Sequence, residues 1–313
     1  MLFFDSVGDV PAGFGPSAVT IGKFDGVHLG HRRVIEQVLQ VADERGLVAT
    51  ALTFDRNPLA LLRPEAAPVT LTSNAQKREL LELAGLDATL MVPFTREFSE
   101  ESPEAFVTEM LVSALDAKVI YVGEGFRFGR NAAGGVATLQ SMGAELGFEV
   151  RSIDHVELDG KPISSTRIRE AMLAGDIGGV IRLLGREPTL RGVVVRGEQR
   201  GRAMGYPTAN LSPQLEGFIP ADGVYAARLT VDGRTMPAAV SIGNNPTFTG
   251  VPDKQVEAHV LDEDLDLHDR TVELAFVDYV RPMRKFDGME ELKAGIADDV
   301  TKVREILGAP ERS

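Results

Sequence analysis

The sequence contains no cysteine. That excludes disulfides, thiol nucleophiles and thiolate metal sites, although it leaves the redox compartment open. No apolar run approaches the roughly 20 residues that cross a bilayer. The opening Met1-Leu-Phe-Phe-Asp5 has neither a basic flank nor a sustained apolar core, so no signal peptide is expected. The reading is a cytoplasmic protein with no membrane partner. Clustered basic residues are missing too. The net charge of −13 is spread along the chain without a Lys/Arg tail or stripe, which argues against a nucleic-acid polymer. Nucleotides stay open, because a few placed groups suffice to bind them. A Gly-x-x-x-x-Gly-Lys-Ser/Thr loop and a Gly-x-Gly-x-x-Gly fingerprint are both absent, which argues against a P-loop NTPase and a Rossmann dehydrogenase.

What is present suggests two domains, since 313 residues exceed what one hydrophobic core usually supports. After Val19-Thr-Ile-Gly22, helical spacing runs over residues 31–45 (Val34, Val38, Val41 beside Ile35, Leu39, Ala42), and Gly46 ends it. Residues 47–54 read as a second buried strand, completing a βαβ unit with a parallel sheet. The pattern recurs. Ser73 caps a helix to Leu83 before a strand at 88–93, and Ser102-Pro103 opens a helix to Leu115 before a strand at 118–123. A helix at 136–146 and a strand at 148–153 close a doubly wound α/β domain over residues 1–184. Past a short linker near Gly185-Arg-Glu-Pro188, short alternating runs at 190–195, 223–231 and 271–277 predict a small antiparallel barrel over 186–313. Asp232-Gly233 predicts a tight hairpin. Leu292, Ile296, Val300, Val303 and Leu307 predict a terminal amphipathic helix over 288–307.

Three segments carry chemistry. Gly22-Lys-Phe-Asp-Gly-Val-His28-Leu-Gly-His31 joins a strand to a helix N-terminus, where backbone N–H groups and the helix dipole favour an anion. Its two histidines could merely cap the helix; in this context, imidazoles that stabilise phosphoryl charge are the better reading. Zinc is the weaker one, with no third ligand nearby. Ile163-Ser-Ser-Thr-Arg-Ile-Arg169 enters a helix ending near Ala174. Alone it is a Ser/Thr cap with surface arginines, yet its hydroxyls and guanidinium groups also suit a triphosphate. Arg196–Leu211 is dense in Gly and Arg, which lets backbone approach phosphates, and it ends in Thr208 and Asn210, hard donors suited to Mg²⁺. Downstream, Glu257 and His259 share one face of a strand, and Glu257 is either a solvated carboxylate or a general base.

The first two segments resemble the nucleotidyltransferase superfamily, whose His-x-Gly-His and Ile-Ser-Ser-Thr-x-x-Arg motifs bind ATP. Joined with Thr53-Phe-Asp-Arg-Asn-Pro58, Val122-Gly-Glu-Gly-Phe-Arg-Phe-Gly129, Gly205-Tyr-Pro-Thr-Ala-Asn-Leu211, Ser241–Phe248, the Glu257 strand and Arg281–Asp287, they cover nearly the whole chain. In this order the chain resembles the bacterial bifunctional riboflavin kinase/FMN adenylyltransferase family. The resemblance implies ATP, riboflavin, FMN and FAD as ligands, with Mg²⁺ accompanying ATP. It implies that residues 1–184 adenylylate FMN and residues 186–313 phosphorylate riboflavin. Gly22, Phe24, Asp25, His28, His31, Ser164, Thr166 and Arg169 would bind the adenylyl donor. Phe54, Asn57, Pro58, Phe126 and Phe128 would shape the flavin pocket. Gly201, Gly205, Thr208 and Asn210 would bind the kinase nucleotide, Thr208 and Asn210 its metal, and Glu257 would be the base. Where family members commonly carry Asn or Asp, this chain has Gly125. Oligomeric state is left open.

Overall fold

A computed structural model describes residues 1–197, 201, 205–243 and 254–309. By packing, the chain divides into two compact units, Met1–Ser165 and Thr166–Ser313.

The first unit is built on β1 (Leu2–Phe4), β2 (Ser17–Ile21), β3 (Val48–Phe54), β4 (Ala88–Val92) and β5 (Ala117–Gly123). A two-residue-per-strand hairpin, β6 (Arg127–Phe128) and β7 (Gly134–Gly135), precedes β8 (Glu149–Ile153). The order across the sheet is β1-β4-β3-β2-β5-β8, every pair parallel. The helices are α1 (Leu29–Arg45), α2 (Pro58–Leu62), α3 (Asn74–Leu83), α4 (Arg96–Ser99), α5 (Pro103–Ala105) and α6 (Val136–Leu146). Most of this follows the predicted pattern. Gly46 ends α1 in the left-handed region, and Ser73 and Gln76 form a capping box for α3. Two features differ. β1, too short to give a periodic signal, adds an edge strand. The helix expected from Ser102 to Leu115 is π-helical over Phe106–Ala114. Its apolar residues recur every fourth position (Phe106/Met110, Val107/Leu111/Leu115), and the wider turn keeps both rows buried.

Strand alternation sorts the core to two faces. Ala18, Ala49, Ala51 and Val119 pack under Ile35, Val38 and Leu81 of α1 and α3, while Val19, Ile21, Leu52 and Ile120 meet Phe106, Leu111 and Leu139. With β3 and β5 on opposite sides of β2, the winding reverses at β2, and the segment leaving its carboxyl end opens onto the crevice there.

The hairpin β9 (Glu157–Leu158) and β10 (Lys161–Pro162) leads to α7 (Ser165–Ala174) and α8 (Ile177–Leu184). The barrel strands are β11 (Thr189–Val195), β12 (Ala209–Leu211), β13 (Gly223–Val231), β14 (Arg234–Gly243), β15 (Gln255–Val260) and β16 (Thr271–Arg281). They close antiparallel in the order β11-β12-β15-β14-β13-β16. Asp232 and Gly233 both have positive φ (49° and 77°), as the Asp-Gly hairpin requires. Packing groups α7 and α8 with the barrel: α8 contacts β16, and the Ala221 N–H donates to the Met172 carbonyl at 3.0 Å. A linker at 185–188 marks the sequence boundary; the packing boundary falls earlier.

The terminal helix α9 (Met289–Leu307) lies on the barrel, with Val303 against Ala226 and Leu261. Its apolar stripe also holds Asp299, whose side chain is 7% exposed and accepts from Arg281 Nε at 2.7 Å and Nη2 at 2.6 Å. Such a pair contributes little by itself, but removing one partner strands a buried charge. Asp299→Ala should therefore destabilise the barrel by about 3–5 kcal/mol. Urea unfolding monitored on this unit checks it, and a loss under about 1 kcal/mol would show that the pair does not dock the helix.

Candidate active sites

The turn after β2 is held in an uncommon backbone shape. Phe24, Gly26 and Val27 all have positive φ (48°, 82° and 38°), which costs of the order of 1 kcal/mol or more for each non-glycine residue. Burial of the Phe24 and Val27 side chains offsets that cost. Neighbouring segments pin the turn. The Thr53 hydroxyl donates to the Lys23 carbonyl at 3.2 Å, Asp25 Oδ1 accepts from the Leu71 N–H at 2.8 Å, and the Ser165 hydroxyl donates to the Asp25 carbonyl at 2.9 Å.

His28 is the N-cap of α1, its Nδ1 accepting from the His31 N–H at 3.3 Å. An Nδ1 that accepts leaves the proton on Nε2, so the ring presents an N–H donor. The His28 and His31 rings stack at 3.7 Å between centroids, 14° from parallel, and Phe24 meets His31 edge-on at 5.2 Å. Gly30 makes the stack fit, because a Cβ there would lie 3.1 Å from His28 Cε1 and Nδ1. Gly22, Phe24, Asp25, His28 and His31 are thus brought together with Ile163 and Ser165. Ser164 precedes α7, and Thr166 and Arg169 fall in its first two turns.

The second set gathers around phenylalanine. Phe54 ends β3, Asn57 caps α2 by accepting from the Leu59 N–H at 3.1 Å, and Pro58 is the first helical residue. Phe54 contacts Phe94 and Phe98 (5.7 and 5.9 Å), Phe98 contacts Phe106 (6.2 Å), and Phe106 contacts Phe128 (5.4 Å). Phe126 stacks on Phe128 at 5.4 Å and 16°. One aromatic tract therefore connects the 54–58 and 123–128 segments. Phe128 is buried in it, while Phe126 is half-buried at the surface. Sequence reasoning missed the linking rings Phe94, Phe98 and Phe106, which carry no motif. Gly125 is exposed, with open space where a Cβ would stand.

On the barrel, Val256, Ala258 and Val260 point inward and Glu257 and His259 outward, as the alternation predicts. Glu257 pairs across the sheet with Asn210 on one side and Ser241 on the other, so the three form a row on one outer face. Thr208 directly precedes β12, and its hydroxyl lies beside Gly201, 3.4 Å from where a Cβ there would stand. His259 Nδ1 is 2.8 Å from the Pro207 carbonyl and its ring meets Tyr206 edge-on at 5.4 Å, fastening the chain ahead of Thr208. The Tyr206 N–H donates to the Gly201 carbonyl at 2.9 Å. Gly197 lies against the Asn210 amide, and a Cβ there would come within 2.4 Å of it. Gly205 is exposed with φ 85°. The rest of the loop, Glu198–Arg200 and Arg202–Met204, lies outside the described residues, as does Asn244–Phe248 of the Ser241 segment. Among the described residues no three His, Asp or Glu side chains are gathered to hold a metal. Thr208 and Asn210 are neutral oxygen donors, which fit an Mg²⁺ shared with nucleotide phosphates.

Comparison with known proteins matches both halves. The FAD synthetase family matches residues 12–167 and the riboflavin kinase family residues 184–307. The bifunctional riboflavin kinase/FMN adenylyltransferase of Escherichia coli K12 is 35% identical over 93% of this chain and 92% of its own length. That of Listeria monocytogenes is 37% identical over 91% of each. The chain belongs to this bifunctional family. It is an ATP-dependent riboflavin kinase and FMN adenylyltransferase, forming FMN from riboflavin and FAD from FMN. A solved structure titled a macrolide-efflux protein, from Streptococcus pneumoniae, superposes with a TM-score of 0.87 at 30% identity, covering 97% of this chain and 98% of that one. In this family member no helix among the described residues is long and apolar enough to cross a membrane.

Gly30→Ala should lower FAD formation roughly tenfold, the effect of about 1.4 kcal/mol in the transition state, by displacing the His28 ring. Alanine is the better helix former, so the melting temperature should hold. Steady-state assay and thermal melting of the same preparation check both.

Proposed function

We propose that adenylyl transfer takes place at the turn after β2 and phosphoryl transfer on the outer barrel face that carries Glu257. The observation that carries the first half is the hydrogen bond from the His31 N–H to His28 Nδ1, which leaves His28 Nε2–H to donate to an oxyanion at a helix N-terminus. In that reaction an FMN phosphate oxygen attacks the α-phosphorus of ATP and the bond to the bridging oxygen breaks, releasing pyrophosphate. No covalent enzyme intermediate is needed, so positioning and charge stabilisation supply the rate. His28 and His31, with Ser164, Thr166 and Arg169, bind the triphosphate. Gly22, Phe24 and Asp25 shape the turn around it, and Phe54, Asn57, Pro58, Phe126 and Phe128 receive the flavin.

In the kinase half, the riboflavin 5′-hydroxyl attacks the γ-phosphorus of a second ATP and ADP leaves. Glu257 takes the hydroxyl proton, which the row with Asn210 and Ser241 supports by setting the carboxylate beside the nucleotide-binding residues. Thr208 and Asn210 would hold Mg²⁺, which neutralises phosphate charge when bound. Gly201 and Gly205 let backbone approach the phosphates. As catalytic modules the limits are residues 1–184 and 186–313, and the enzyme works in the cytoplasm on free nucleotides and flavins.

Separate assays test the division. His28→Ala should reduce FAD formation from supplied FMN by about 10²–10³-fold while riboflavin phosphorylation is kept. Glu257→Ala should do the reverse, lowering FMN formation by about 10²–10⁴-fold. Loss of both activities from either substitution in a folded protein would refute the assignment, as would an alanine at 257 that phosphorylates riboflavin at the normal rate.

A further inference from the structure

Lys77 is a charged side chain inside the first unit. It lies on α3 four residues before the fully buried Leu81, and it is 6% exposed. Its ammonium Nζ donates to the Phe54 carbonyl at 2.7 Å. The charged groups that face it are Asp25, in the turn after β2, and Asp55, at the end of β3. Burial pulls the Lys77 pKa below the usual lysine value, and the two carboxylates pull it partly back. Each carboxylate is itself engaged. Asp25 Oδ1 holds the Leu71 N–H, and the Asp25 carbonyl holds the Ser165 hydroxyl. Asp55 Oδ1 holds the Phe94 N–H at 2.8 Å, and Asp55 Oδ2 holds the exposed Arg56 guanidinium at 2.9 Å. For Asp55, burial raises the pKa, but these donors outweigh it and keep the carboxyl below its usual range.

One buried cation therefore bonds the strand end that starts the flavin segment and interacts by charge with Asp25, the residue of the turn that also holds the Ser165 hydroxyl. An apolar side chain at position 77 would pack equally well against α3's neighbours. It would leave the Phe54 carbonyl without its donor and remove the positive charge that acts on Asp25 and Asp55, at the place proposed for the triphosphate and the flavin phosphate.

We propose that Lys77 is a positioning residue for adenylyl transfer, its ammonium locking the His28–His31 turn to the Phe54–Pro58 segment so that nucleotide and flavin are held in register. The inference rests on the assignment of those two segments to the adenylyltransferase site. Lys77 touches no reacting atom; it acts through Phe54, Asp25 and Asp55. Because its charge is needed, FAD formation falls as pH rises through its depressed pKa, and the kinase reaction in the same chain does not share that fall.

The full-length protein supplies one control, since riboflavin phosphorylation reports a folded barrel unit, and thermal melting of the same preparation reports the first unit. Lys77→Met keeps length and removes charge. It should lower FAD-forming kcat by about 10²-fold, the cost of a small misplacement, with riboflavin phosphorylation within about twofold of wild type. Lys77→Arg keeps a charge that does not titrate. It should recover part of the rate and carry the alkaline fall of FAD formation to higher pH than in the wild type. The inference is overturned if Lys77→Met forms FAD with kcat and both KM values within about twofold of wild type. It is overturned equally if the Arg variant's alkaline limb coincides with the wild type's, which decides the matter even where the Met variant unfolds. His28→Ala is run alongside. If it too leaves FAD formation intact, the site assignment itself has failed; if it alone abolishes FAD formation, only the role of Lys77 has.

Discussion

A parallel sheet wound in both directions has one place where the chain leaves adjacent strands toward opposite faces, and here that place is the carboxyl end of β2. In sheets of this kind the start of the helix that follows such a strand is where ligands enter, and α1 starts there. The first unit is arranged to keep this end in one shape. Three positive φ angles in the turn are held by burial of Phe24 and Val27 and by bonds to Thr53, Leu71 and Ser165. A loop held by its side chains alone would relax, and the stacked imidazoles would lose their common direction. Rigid support of this kind suits the proposed role of the two rings, since donors that need not reorganise stabilise developing charge most effectively.

The barrel solves a different problem with a different device. Its closed sheet has no edge, and the row proposed for the chemistry, Asn210, Glu257 and Ser241, runs across three strands on the outer face. Strand register sets the spacing of that row. His259 extends the same logic by fastening Pro207 and Tyr206 ahead of Thr208. The opposite flank is closed by α9, docked through apolar contacts and the Arg281–Asp299 pair. Two unrelated architectures thus serve consecutive reactions, and FMN leaves one as product and enters the other as nucleophile.

Much of this was legible in the amino-acid order, because its causes are local. Helix caps such as Ser73, the Gly46 stop and the Asp232-Gly233 hairpin depend on a few neighbouring residues. Buried strands and helical stripes are periodic, which gave both fold classes. The histidine turn, the Ser/Thr segment and the Pro-Thr-Ala-Asn segment were visible because a ligand that needs backbone and side chains together forces a fixed spacing.

What the sequence determined alone was therefore the two architectures, the family and the short segments that carry the family's motifs, each set by spacing along the chain. Tertiary structure decided the rest, because it depends on groups far apart in sequence. The aromatic tract from Phe54 through Phe98 and Phe106 to Phe126 unites segments some 70 residues apart by packing, for which hydrophobic residues leave no distinctive pattern. Asp299 sits within the apolar stripe of α9 because Arg281, eighteen positions earlier, faces it. Lys77 is likewise a charge on a buried helix face, and a buried charge can be interpreted only once its partners, Phe54, Asp25 and Asp55, are known.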